Sequence, residues 1–533
     1  MSNSLFRFFA AALLAASLAA PPLQAQTPAS GQQAAHVLNR LAFGPRPGDI
    51  ERVAQMGVQR YIDGQLDPKA LPYPADLTER LALLDTVNRS AGESLAEFIE
   101  VRRDVRDEEE GAKQRRRLAV ERMRTQAQEA RLLRAVESPR QLEEVLVDFW
   151  YNHFNVFAGK GLDQALVASY ERDAIRPYVL GSFRAMLGAT AKHPAMLFYL
   201  DNHLSKAGGL NENYARELME LHTLGVDGGY TQKDVTELAR MLTGWTFDPR
   251  RLVRLGETFR FDPRRHDAGV KTWLGREVAP AGQNEGEMAL DVLATHPATA
   301  RHLSYKLAQY FVRDDPPPAL VERLALAWRD TGGDIRQVLR VLFASPEFMA
   351  PSNVGAKFKT PYRFVISAVR ASGTPLASSA PLAGALNQLG MPLYGCQTPD
   401  GYKNTEAAWL NPDALGRRVV FATMIGSGRL AAAAAARANN ASAAPPARAA
   451  AAGASPPMGR VAPPAPYPMM ADTPTAAKMA AATPMPPAAA LDAARLQATL
   501  DGTISARTRE VVARNPEPLR AAMLLGSPDF MQH

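Results

Sequence analysis

The chain has 533 residues, long enough for one large core with insertions or for two domains, since single cores stop growing at roughly 250 to 300 residues. Its one cysteine, Cys396, excludes a disulfide framework. The net charge of +7 comes from 61 basic and 54 acidic residues interleaved along the chain, without the basic stripe and aromatics of a nucleic-acid binder.

Arg7, the apolar run Phe8 to Ala20 and the small residues up to Ala25 stand in the order of a secretory signal peptide. Residues 1–25 are therefore expected to be cleaved on export, leaving a periplasmic or secreted protein. The run is shorter than the roughly 20 residues that span a bilayer and nothing comparable follows, so no transmembrane segment is expected. The absence of a cysteine near Ala25 argues against a lipid anchor, and the absence of an arginine pair favours general secretion over the twin-arginine route.

Residues 26–430 read as a helical core domain. AAHVLNRLAF, DIERVAQM and VQRYIDGQL are short apolar-periodic runs, the first two stopped by Gly44 and Gly57. From about residue 93 to 136 the chain alternates acids and bases three or four apart, which predicts a solvated charged helical arm with a break near Gly111. LEEVLVDFWYNHFNVF (Leu142 to Phe157) is an apolar and aromatic stripe of helical length. Further helices are expected at Ala165 to Val179, Phe183 to Lys192, Ala298 to Phe311, Pro318 to Asp330 and Ile335 to Ala344, and Leu252 to Phe261 alternates enough to suggest a minor β-hairpin. Residues 431–490, almost wholly alanine and proline, read as a disordered insertion, because proline blocks a long helix and alanine offers little area to offset ordering entropy. Residues 491–533 resume the helical pattern, rejoining the core. Their ending LLGSPDFMQH echoes LFASPEFMAP (Leu342 to Pro351), and Ser-Pro-acid is a helix-starting device in both. The expected fold is mainly α.

The densest window is NENYARELMELHTLGVDGGYTQKDVTELARMLTGWTF, residues 211–247. Asn211 is placed to cap one helix that ends by Gly225, with Arg216 and Glu220 four apart to pair. Thr231 and Asp234 are spaced as a capping box for a second helix ending at Gly244. At 100° per residue, His222 shares the apolar face with Leu218 and Leu221, Glu217 borders it, and Glu220 points outward. Glu217, Asp234 and His222 are candidate acid/base groups, since burial beside an apolar face shifts a pKa, but border carboxylates and core-edge histidines also serve as ordinary structural partners. His153 in WYNHF and the His266-Asp267 pair are candidate ligands for a divalent metal. Their spacing matches no zinc motif, and the chain has neither a calcium loop around Asp227 nor a Gly-x-Ser-x-Gly elbow.

That window, together with LNRLAFGPRPGDI, FWYNHFNVF, HDAGVKTWLG, HPATARHLSYKLAQYFVRDDPP, KFKTPYRFVISAVRASG and MPLYGCQTPDGYKNTEAAWLNP, resembles the bacterial family catalogued as domain of unknown function 1800. The resemblance implies an exported protein with no established chemistry, often encoded beside an exported alkaline-phosphatase-like protein that would be its partner. The Ala/Pro insertion departs from the family pattern. The expectation is an accessory or binding factor of the envelope or exterior, and the alternative is a hydrolase in which Glu217 or Asp234 acts as base or metal ligand with His153, His222 and the His266-Asp267 loop.

Overall fold

The computed structural model of the protein describes residues 30–103, 110–430 and 489–533. Residues 1–25, where a signal peptide is expected, and all but the last two residues of the Ala/Pro segment 431–490 lie outside the described residues. What is described is mainly α, with two small two-stranded antiparallel sheets.

Local chemistry places the first helices. Ser30 and Gln33 form a reciprocal capping box for Gly31–Leu41. Gly57, at φ 93°, both ends Asp49–Met56 and starts Val58–Leu66, a conformation that an L side chain rarely adopts. One continuous apolar core runs from Ala34 to Met531 and includes Leu524, Leu525 and Phe530 of the C-terminal helices. The two Ser-Pro-acid echoes are the same junction twice: Ser345 caps Pro346–Met349, Ser527 caps Pro528–Met531, and Phe348 and Phe530 are buried.

The charged arm is solvated in only part of its length. The helix Glu110–Glu137 carries exposed Lys113, Arg115 and Arg117 near its start, but Met123, Ala127, Ala130, Leu132, Leu133 and Val136 are core. Arg131 is itself buried, 2.8 Å from an Asp148 oxygen and 3.3 Å from Glu171, while Arg176 holds Glu171 and Glu144 at 2.9 and 2.7 Å. Charges expected to meet water instead meet acids brought from other helices, which offsets their desolvation. Gly111 falls in the first turn of this helix, and residues 104–109 of the arm, just before it, lie outside the described residues.

The β-hairpin is also displaced. Asp248 caps a helix Pro249–Leu255 that Gly256 ends in the left-handed conformation, so Leu252 is helical and only Arg260–Phe261 is extended, paired with Trp245–Thr246. Asp-Pro at the start and glycine at the end outweigh the alternating pattern. The hairpin proper is Lys271–Trp273 with Arg276–Val278, turned by Leu274 and Gly275, both at positive φ.

Candidate functional site

A cleft of about 250 Å³ opens where four segments meet: the end of the helix Gln141–His153, the turn after Glu212–Glu220, the helix Pro297–Phe311, and the stretch 391–404. His302 and Lys306 stand four apart and therefore on one face of Pro297–Phe311, among the buried Leu303 and Leu307. The Lys306 ammonium lies 2.9 Å from His153 Nδ1, and His153 Nε2 lies 3.2 Å from the His222 carbonyl oxygen. An ammonium can only donate, so Nδ1 accepts, and the remaining proton sits on Nε2 and is donated to His222. His153 is thereby a neutral imidazole of fixed tautomer. Burial, then Lys306, His222 and His302, hold its pKa well below the usual histidine range.

Lys306 has no carboxylate partner among the described residues. Asp400, whose field reaches it, is paired with Lys403 at 2.7 Å and accepts from the Thr398 hydroxyl at 2.6 Å. Burial and the Lys403 charge lower the Lys306 pKa from 10.5 to about 8. His302 is likewise desolvated, its pKa pulled to about 4, and its Nε2 is buried without a partner. Gly225, at φ 85°, lies flat against it, since a Cβ there would come within 2.8 Å of His302 Nδ1.

The outer wall is positioned by asparagines. The Asn152 amide donates to the Tyr402 carbonyl at 2.8 Å and accepts from the Tyr402 N–H at 2.7 Å, while Asn155 donates to the Cys396 and Thr398 carbonyls at 3.0 and 2.8 Å. Gly401, at φ 70°, passes so close that a Cβ would fall 2.2 Å from the Asn152 carbonyl oxygen. Farther along, Lys357 donates to the Asn404 carbonyl at 2.6 Å and Asp314 accepts from the Glu406 N–H at 2.7 Å.

Of the residues singled out from sequence, His153 lines this cleft and His222 sits behind it, their ring centres 6.0 Å apart. His222 is buried, with its pKa lowered to about 3. Glu217 is half-buried one turn before Leu221; burial, then Glu220 and Asp400, push its pKa up. Glu220 lines the cleft and does not pair with Arg216, which instead lies 3.9 Å from Glu212. Asp234 is elsewhere: its carboxylate accepts from the Thr231 N–H and hydroxyl at 2.8 and 2.7 Å and from the Leu274 N–H at 2.7 Å, joining a helix cap to the hairpin. His266 and Asp267 are also structural in their bonding. His266 lies 2.9 Å from the Thr243 carbonyl oxygen and 3.1 Å from Glu285, which holds the buried Lys271 at 2.6 Å. Asp267 forms a two-pronged pair with Arg240 at 2.9 and 3.1 Å, which takes its pKa to about 2. His153, His266 and Asp267 thus do not share a site, and among the described residues no group of three or more His, Cys, Asp or Glu is arranged to hold a metal ion.

The sequence reading missed Lys306, His302, Asp400 and the two asparagines. The i, i+4 spacing in HLSYK was the available signal for the first two; the loop contacts had none, since Asn152 and Tyr402 are 250 positions apart. Neither the curated proteins nor the solved structures contain a match to this chain. A family model described as "Protein of unknown function (DUF1800)" matches residues 36–532, nearly the whole length, and the chain belongs to that family.

Proposed function

We propose that the protein is an exported binding factor whose cleft takes a small anionic group, with Lys306 supplying the charge. One observation carries this: a desolvated ammonium donates to the lone pair of a neutral histidine, and no carboxylate pairs with it among the described residues. Burying a cation is costly unless a counter-charge completes it; Asp148, Glu220 and Asp400 also line the cleft but none is bonded to Lys306, and an anion entering on the side of Tyr402 and Asn404 would supply the partner. Export is supported by the order of charge, apolar run and small residues over 1–25, and no helix among the described residues is long and apolar enough to cross a membrane. An exported alkaline-phosphatase-like protein is the partner that the family resemblance suggests.

Calorimetric titration with phosphate, sulfate and acetate at pH 7 and pH 9.5 tests the reading. Binding should weaken as pH rises through about 8, where Lys306 loses its proton, and should vanish in Lys306→Met. Binding indifferent to both changes would overturn it.

A second reading, a hydrolase, is favoured by a different observation. The His153–Lys306 pair combines a neutral imidazole with an amine of pKa about 8, within the range useful for proton transfer near neutral pH, and Glu217 is pushed upward nearby. Turnover in an ester, phosphoester or peptide screen, lost in both Lys306→Met and His153→Asn, would select this reading over pure binding.

A further inference from the structure

Behind the wall formed by Val226 and His302 lies a second cavity of about 370 Å³, and both residues line both spaces. The first cleft alone falls below the roughly 300 to 1,000 Å³ of typical ligand sites, whereas the two together fall within it. Both linings are mixed: the first sets Lys306 and the carboxylates of Asp148, Glu220 and Asp400 beside Phe149 and Met391, and the second sets Tyr305, Pro316 and Val321 beside Asp227, Asp315 and Arg301. Val226 is 70 % and Tyr305 39 % exposed, so two large apolar side chains face solvent on a concave surface rather than joining the core beneath. A small hydrated ion would leave those surfaces wet. A ligand with an apolar body would cover them and gain from it.

Building on the anion-site reading above, we infer that the ligand is an organic carboxylate with a bulky apolar or aromatic body, such as an N-acylated aromatic amino acid or the aromatic C-terminal end of a peptide. The carboxylate is held at Lys306, and the body passes Val226 into the cavity beside Tyr305. His302 stands at the boundary between the two spaces. Gly225 fixes that boundary, because any side chain there would displace the His302 ring.

Titration of the full chain with acetate, N-acetylglycine, N-acetylphenylalanine and N-acetylphenylalanine amide tests the inference. N-acetylphenylalanine should bind at least about tenfold more tightly than acetate, a clear difference on the affinity scale. The amide, lacking the charge, should lose that affinity. In Val226→Asp and in Tyr305→Ser, both at partly exposed positions, the ratio of the two carboxylate affinities should fall toward one. Equal binding of acetate and N-acetylphenylalanine, with the ratio unmoved in both variants and binding lost in Lys306→Met, would overturn the inference while leaving the anion site standing. Failure of every carboxylate to bind, or binding unchanged in Lys306→Met, would overturn both.

Discussion

Lys306 and Asp234 are both charged, both border an apolar face, and differ in what their charged atoms are bonded to. All three of Asp234's hydrogen bonds hold a cap and a hairpin; Lys306 has one neutral partner and an open side toward the cleft. The same contrast predicts a stability effect. Lowering the Lys306 pKa from 10.5 to about 8 corresponds to on the order of 3 kcal/mol of cost for holding the charge in the fold. Below pH 8 folded and unfolded states are both protonated and that cost is fully felt. Between about pH 8 and 10.5 the folded state has released its proton while the unfolded state keeps it, so stability rises with pH over that window. Lys306→Met removes the charge but leaves His153 Nδ1 without a donor, which costs about 1 to 3 kcal/mol. The net change at pH 7 is therefore small, and the informative quantity is its pH dependence. Urea unfolding of parent and variant should show the parent gaining on Lys306→Met by about 2 to 3 kcal/mol between pH 8 and pH 10. Parallel curves would mean that Lys306 is not desolvated.

At the scale of elements, the cleft depends on a loop that has little regular structure of its own. The stretch 391–404 is held by Asn152 and Asn155 at the end of the aromatic helix and by the close approach of Gly401. Gly401→Ala adds a methyl group 2.2 Å from the Asn152 carbonyl oxygen at a position with φ 70°, so both sterics and backbone strain oppose it. We expect a loss of about 2 to 4 kcal/mol in denaturant unfolding, with weakened anion binding in the protein that remains folded. Unaltered binding would mean that the loop does not shape the site. This dependence also explains what was legible in the sequence. The Asn211 cap, the Thr231–Asp234 box and the glycine stops could be read because each is settled within a few residues. His153 could be flagged as a histidine in an aromatic stripe, yet its partner Lys306 comes from 153 positions away. Arg131 was misplaced for the same reason: its charge looked solvent-bound until Asp148 and Glu171 arrived from other helices.

Across the whole molecule the histidines act together. Of the nine in the chain, His36, His193 and His302 are lowered to about 4 and His222 to about 3; His153 and His533 are held well below the usual range, and His203 and His296 are lowered too. Burial is the leading cause in each. In the unfolded chain these rings titrate near 6.5, so below that pH the unfolded state binds protons that the folded state refuses. Each such ring removes up to about 1.4 kcal/mol of stability per pH unit as pH falls from 6.5 toward its folded value. Buried acids with raised pKa, Asp163 above all, act in the opposite sense by taking up protons in the fold. One strongly raised carboxylate does not balance six strongly lowered histidines, so the net slope stays positive. For a domain of ordinary stability, roughly 5 to 15 kcal/mol, this is enough to bring the fold near its unfolding threshold before most carboxylates titrate. Urea unfolding at pH 7.5, 6.5 and 5.5 should show a loss of about 2 kcal/mol over the first interval, where the unfolded rings become half protonated, and roughly three times that over the second. His36→Gln, which keeps a donor for the Phe348 carbonyl but cannot be protonated, should make that drop shallower. A level profile down to pH 5 would show that the buried rings admit protons at little cost, and with it that the cleft around His153 and Lys306 is wetter than its packing implies.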